Sequence, residues 1–103
     1  MDELEALRQE YAQDLPRRLS EIEALFTSVR AGNPSPESLE QLQNQVHKLA
    51  GSGAVYGFDT LSEVARELDT LLLARERKGI PLEGEALNRA KDLMAQLRQA
   101  SQS

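Results

Sequence analysis

Two breaks of the form Gly-x-Pro, Gly32-Asn33-Pro34 and Gly79-Ile80-Pro81, interrupt a chain whose apolar residues otherwise recur every three or four positions. A glycine just past a helix, followed by a proline, is a stop signal, because glycine adopts the left-handed cap conformation and proline cannot continue the helix. Most of the remaining residues are good helix formers. No alternating run of Val, Ile and Thr is long enough for a strand. We therefore predict an all-α fold.

Further cap and stop signals divide the chain into shorter helices. Ser35-Pro36 places an N-cap serine before a proline at the first helical position, and Pro16 favours the end of a short first helix near Asp14. The predicted helical segments are 2–13, 15–31, 36–56, 60–78 and 84–100. Because the connections are short, we expect an antiparallel up-down-up-down four-helix bundle with a short additional N-terminal helix. The length suits a single domain over residues 1–103.

The composition narrows the possible functions. The chain has no cysteine and one histidine, so we expect neither a disulfide framework nor a metal site, and no cofactor. A net charge of −5 disfavours nucleic acid and anionic membranes as partners, because both require basic surfaces. The N-terminal residues are acidic and contain no apolar run, so we expect no signal peptide there, and no segment approaches the length needed to cross a bilayer. We expect a cytoplasmic protein, monomeric by default.

The single histidine, His47, is predicted to face solvent from the third helical segment. One row of that segment faces inward at helical spacing: Leu39, Leu42, Val46, Leu49 and Gly53. Because a helix turns about 100° per residue, His47 falls about 120° from the centre of this row. A lone exposed histidine is usually solvated and without a role, so the residues around it decide the interpretation.

Gly51 lies one turn beyond His47 and is predicted to point outward, where alanine would stabilise the helix by roughly 1 kcal/mol. What Gly51 provides is open space beside the imidazole. Gly53 belongs to the inward row, and we interpret it as a site of close helix packing. Three further residues offer polar contacts near His47: Gln43, Asn44 and Ser52.

The chemistry open to a lone exposed imidazole is narrow. Neutral imidazole is a nucleophile near pH 7, but hydrolysis would also need a second catalytic group or an oxyanion hole, and the sequence offers no credible set. No glycine-rich loop follows a strand, so no nucleotide site is indicated. Accepting a phosphoryl group is less demanding, because the transfer depends mostly on positioning and charge neutralisation, to which a partner can bring a metal ion and cations. We therefore predict a phosphoryl carrier rather than an enzyme.

Seven residues from His47 onward form a recognisable pattern: His47, Leu49, Gly51, Ser52, Gly57, Leu61 and Leu68. This pattern resembles the signature of histidine-containing phosphotransfer (HPt) domains. The resemblance implies a phosphorelay intermediate in two-component signal transduction, with the phosphoryl group on Nε2 of His47. It implies a receiver domain of a response regulator, a sensor histidine kinase, or both, as partners. Gly51 would leave room for the partner, and the polar neighbours Gln43, Asn44 and Ser52 would steady the phosphohistidine.

One position departs from this pattern. Many HPt domains carry a lysine three residues after the histidine, whereas this chain has Ala50 there and places Lys48 directly after His47. Lys48 lies about 100° around the helix from His47, and it is a candidate for contacting the phosphoryl group. Two alternatives stay open. A receiver-binding module that transfers no phosphate is favoured only by Ala50. The phosphoacceptor region of a sensor kinase is disfavoured, because such regions typically have an acidic residue where Lys48 stands and the sequence contains no ATP-binding domain.

Overall fold

The computed structural model describes residues 2–30 and 35–102. In these ranges the chain forms four α-helices, which are α1 (Glu3–Arg30), α2 (Pro36–Val55), α3 (Asp59–Lys78) and α4 (Gly84–Ser101). None of the described residues lies in a strand, so the predicted all-α fold is confirmed. The last three predicted helices agree with α2, α3 and α4 to within one residue at each end.

The predicted short N-terminal helix is wrong, because α1 runs without interruption through Pro16. A proline inside a helix removes one backbone hydrogen bond and costs about 3 kcal/mol. Tyr11, Leu15 and Leu19 are all buried along α1, and burial of each leucine alone stabilises the fold by about 1.5–3 kcal/mol. A break at Pro16 would turn part of this row away from the core, so the burial outweighs the cost of the proline.

Ion pairs across the proline give α1 local support. Asp14 accepts hydrogen bonds from Arg17 at 2.7 Å and from Arg18 at 2.9 Å, and Arg17 also donates to Glu21 at 2.6 Å. The hydrogen bond from Arg17 is the main cause that holds the pKa of the Asp14 carboxyl below its usual value. Because these side chains are exposed or half-exposed, solvent screens the pairs and burial remains the larger effect.

Two of the other helix ends follow the predicted cap signals. The Ser35 side chain accepts a hydrogen bond from the backbone N–H of Ser38 at 3.1 Å, with Pro36 in the first turn. At the end of α3, Gly79 adopts a left-handed backbone with a φ of 66°, which glycine tolerates better than any other residue. The predicted break at Gly32-Asn33-Pro34 lies outside the described residues.

The four helices contact one another in a ring: α1 packs against α2, α2 against α3, α3 against α4, and α4 against α1. Their inward sides form one apolar core, and the predicted inward row of α2 is buried as expected. Among the described residues, the buried polar side chains are Gln43 on α2 and Ser62 on α3. Both lie at the contact between α2 and α3, which is also where His47 lies. Within the same ranges, no helix combines the length and apolar character that crossing a membrane would require.

Candidate functional site

His47 lies near the middle of α2 with its imidazole in solvent. The side chain is 71% exposed, as the helical spacing predicts. The preceding residue, Val46, is buried in the core, whereas the following residue, Lys48, is exposed. The buried row of α2 therefore sets the direction in which the imidazole points without covering it.

A carboxylate on the neighbouring helix holds one nitrogen of this ring. Nδ1 of His47 lies 2.8 Å from Oδ2 of Asp69 on α3. The other oxygen of Asp69, Oδ1, accepts a hydrogen bond from Nε2 of Gln43 at 2.7 Å. The Asp69 side chain is only 14% exposed, and Gln43 is buried. Both oxygens of Asp69 therefore have partners, and the orientation of the imidazole is set by a carboxylate that is itself held in place.

This arrangement determines which ring nitrogen of His47 carries the hydrogen. A carboxylate only accepts hydrogen bonds, so in the neutral imidazole Nδ1 must be the protonated nitrogen. Nε2, on the side of the ring away from Asp69, then keeps its lone pair. The assignment of the hydrogen follows from the hydrogen-bond network. Nε2 is therefore the ring nitrogen whose lone pair is available to solvent.

Beside the imidazole, one turn further along α2, Gly51 leaves the surface open. A Cβ atom at Gly51 would meet no atom within 4 Å. At Gly53, by contrast, a Cβ atom would lie 3.5 Å from Ser62 and from the carbonyl oxygen of Phe58. These are ordinary van der Waals distances, so Gly53 faces the start of α3 without being required for its approach, whereas Gly51 serves no packing within the described chain.

The position three residues after His47 belongs to the contact between α2 and α3. Ala50 is buried, and its carbonyl oxygen accepts a hydrogen bond from the Ser62 hydroxyl at 2.7 Å. The methyl side chain of Ala50 supplies no charge, so α2 has no cation on the side of His47 that faces α3.

Ser52 is engaged on the opposite side of α2, against α1. Its Oγ lies 2.7 Å from the hydroxyl oxygen of Tyr11, and the Tyr11 ring stacks on Tyr56 with 4.8 Å between the ring centroids. Burial raises the pKa of the Tyr11 hydroxyl above its usual value. Ser52 lies about 140° around α2 from His47, so its contacts hold α1 against α2 at the level of the site.

The remaining two predicted neighbours of His47, Asn44 and Lys48, are exposed, and their side chains make no hydrogen bond or ion pair within the described part of the chain. Both are thus available to a group bound at the imidazole. In the same ranges, no cluster of three or more His, Cys, Asp or Glu side chains is arranged to hold a metal ion.

The comparison with protein families agrees with this geometry. The family model described as Hpt domain matches residues 6–100. The chain belongs to the Hpt domain family. Hpt domains act in the phosphotransfer of two-component signalling, together with response-regulator receiver domains and kinases. No curated protein and no solved structure matches the chain.

Sequence reasoning missed Asp69, the residue of this Hpt domain that bonds to the imidazole. Its signal in the sequence is weak. Asp69 directly follows Leu68, one of the buried residues of α3, and in the sequence it cannot be told apart from an ordinary acidic residue on the surface of that helix. His47 and Asp69 are 22 positions apart, and the alignment of α2 with α3 brings them together. The short connection between Val55 and Asp59 restricts that alignment, and it is the one sequence feature from which Asp69 could have been found.

Proposed function

We propose that this Hpt domain carries a phosphoryl group on Nε2 of His47 and exchanges it with the aspartate of a receiver domain. The observation that carries the proposal is the hydrogen bond from Nδ1 of His47 to Asp69, made by a ring that is otherwise in solvent. It leaves one nitrogen with a free lone pair, and Gly51 keeps the surface beside the ring open.

The geometry supports a simple transfer step. The Nε2 lone pair attacks the phosphorus of the receiver's aspartyl phosphate. The N–P bond forms as the bond between phosphorus and the aspartate oxygen breaks, and the electron pair leaves with the aspartate carboxylate. The ring then carries hydrogen on Nδ1 and phosphoryl on Nε2, so it becomes positively charged. Asp69 stabilises this charge through its hydrogen bond to Nδ1, and the reverse step restores the neutral ring.

The other predicted site residues take supporting roles in this proposal. Gln43 orients Asp69 through the hydrogen bond to its second oxygen. Asn44 and Lys48 are exposed on α2 and are available to phosphoryl oxygens. Ser52 holds α1 against α2 through Tyr11. The domain acts as a carrier, and the receiver supplies the catalytic groups.

We further infer that residues 1–103 form one domain whose helices run antiparallel, up-down-up-down. The support comes from contacts between α2 and α3. Ala50 pairs with Ser62 and Gln43 pairs with Asp69, so residue numbers fall along α2 while they rise along α3. This antiparallel alignment is what brings Asp69 beside His47.

Phosphotransfer from a phosphorylated receiver to the purified domain tests the proposal. The wild-type domain should acquire a label that is labile in acid and stable in base, and His47→Gln should acquire none. Gln96→Ala, an exposed substitution on α4, is the matched control and should be labelled as well as the wild type. Label that persists in His47→Gln would refute the assignment.

The alternative function is a receiver-binding module without transfer. Ala50 favours it, because this buried methyl stands where a cation would help to hold the phosphoryl group. In the same assay this alternative predicts that the receiver co-purifies with the domain while neither the wild type nor the variant is labelled.

A further inference from the structure

Phosphorylation of His47 would place negative charge next to a carboxylate at the contact between α2 and α3. The phosphoryl group brings about −1.5 to −2 of charge close to the carboxylate of Asp69, in a chain whose net charge is already −5. A contact between a cation and the phosphoryl oxygens would offset this repulsion. Because Ala50 is apolar and buried, we consider Lys48 and α3 as sources of such a cation within the domain.

Arg66 lies at the right level of α3 to supply it. It precedes Asp69 by one turn, which corresponds to about 4.5 Å along the helix and about 60° around it. Ser62, one turn before Arg66, bonds to Ala50, and Asp69, one turn after it, bonds to His47. Arg66 therefore stands alongside the stretch of α2 that runs from His47 to Ala50.

The side chain of Arg66 is also free to move toward the imidazole. It is exposed, whereas the preceding residue, Ala65, is buried in the core. Within the part of the chain that the structure describes, its guanidinium has no hydrogen bond or ion pair. The adjacent acid, Glu67, is already paired with Arg89 of α4 at 2.8 Å. Glu67 therefore does not hold the guanidinium of Arg66 away from the imidazole.

We propose that Arg66 binds the phosphoryl oxygens of phosphorylated His47 and supplies the cation that Ala50 does not. This assignment rests on the proposed function of His47. A planar guanidinium donates two parallel hydrogen bonds to phosphoryl oxygens, which an ammonium group does not. Lys48 lies about 100° around α2 from His47, on the side of α1, so it is less well placed than Arg66.

The test compares Arg66→Gln with Arg77→Gln, its matched control. Arg77 is another exposed arginine of α3, eight residues beyond Asp69, and it too has no side-chain partner in the described ranges. Each variant is equilibrated with a phosphorylated receiver, the fraction of phosphate on His47 is measured, and the phosphohistidine is titrated by 31P NMR. We expect Arg66→Gln to shift the equilibrium toward the receiver by about 3–10-fold and to raise the pKa of the phosphoryl group. Arg66→Lys should fall in between, and Arg77→Gln should match the wild type.

The outcomes separate this inference from the proposal on which it rests. An unchanged equilibrium and an unchanged phosphoryl pKa in a folded Arg66→Gln domain would overturn the role of Arg66. Lys48→Gln is measured in the same way, and a shift in that variant without one in Arg66→Gln would also overturn it. In both cases the wild type is still labelled on His47. A wild-type domain that acquires no phosphohistidine would instead reject the proposed function itself.

Discussion

The substitution Gly51→Ala separates the stability of this Hpt domain from its function. In the described chain, the glycines with positive φ are Gly57, Gly79 and Gly84, so Gly51 has an ordinary helical backbone. A methyl group at this position meets no atom within 4 Å. Alanine should therefore add about 0.5–1 kcal/mol of helix stability without a steric cost. For a domain of this size, that gain corresponds to a rise of roughly 2–8 °C in Tm.

The same methyl group is expected to slow phosphotransfer. Residues four apart on a helix have Cβ atoms about 5–6 Å from each other, so the new methyl group occupies the surface beside the His47 imidazole. Under the proposed function, a receiver approaches this surface to bring its phosphoryl group in line with Nε2. Thermal unfolding and single-turnover transfer, measured on the same preparation, should show a higher Tm together with a lower transfer rate.

The control for this experiment is Ala95→Gly. Ala95 is an exposed residue of α4, and α4 contacts α1 and α3 but not α2. This change should lower the stability by a similar amount, since it reverses the same propensity difference, and leave transfer unchanged. A lower Tm for Gly51→Ala would contradict the open space seen at this position. Transfer at the wild-type rate would show that the glycine does not serve to clear the imidazole.

Two further substitutions test the hydrogen bond between His47 and Asp69 and the long first helix. Asp69→Ala removes the acceptor for Nδ1. 15N NMR of the imidazole should then show an increased share of the Nε2–H tautomer, and the transfer rate should fall. Unaltered 15N shifts would mean that Asp69 does not select the tautomer. Pro16→Ala restores a backbone hydrogen bond in α1. It should raise the free energy of unfolding, measured in urea, by about 1–3 kcal/mol. A loss of stability would show that α1 depends on the proline.

The helices of this domain were predictable because most of their signals are local. The Ser35-Pro36 start and the Gly79 stop depend on backbone preferences of single residues, and both are present in the structure. The prediction of a break at Pro16 was wrong, because it considered the local cost of the proline and not the burial of Leu15 and Leu19 on either side of it. Burial is a property of the packed molecule, and here it exceeds the local preference.

The sequence by itself determined that His47 faces solvent and that Gly51 leaves space beside it, because both follow from the period of a single helix. Only the tertiary structure decided what the imidazole touches. The bond to Asp69 joins residues 22 positions apart, and it depends on how α2 aligns with α3. The apolar rows show which sides of the two helices meet, but they do not show which polar side chains come into contact. For the same reason, the sequence predicts Gln43 near the imidazole but does not predict its burial or its bond to Asp69. One helix presents the histidine, and the packing of the next helix selects which of its nitrogens keeps a free lone pair.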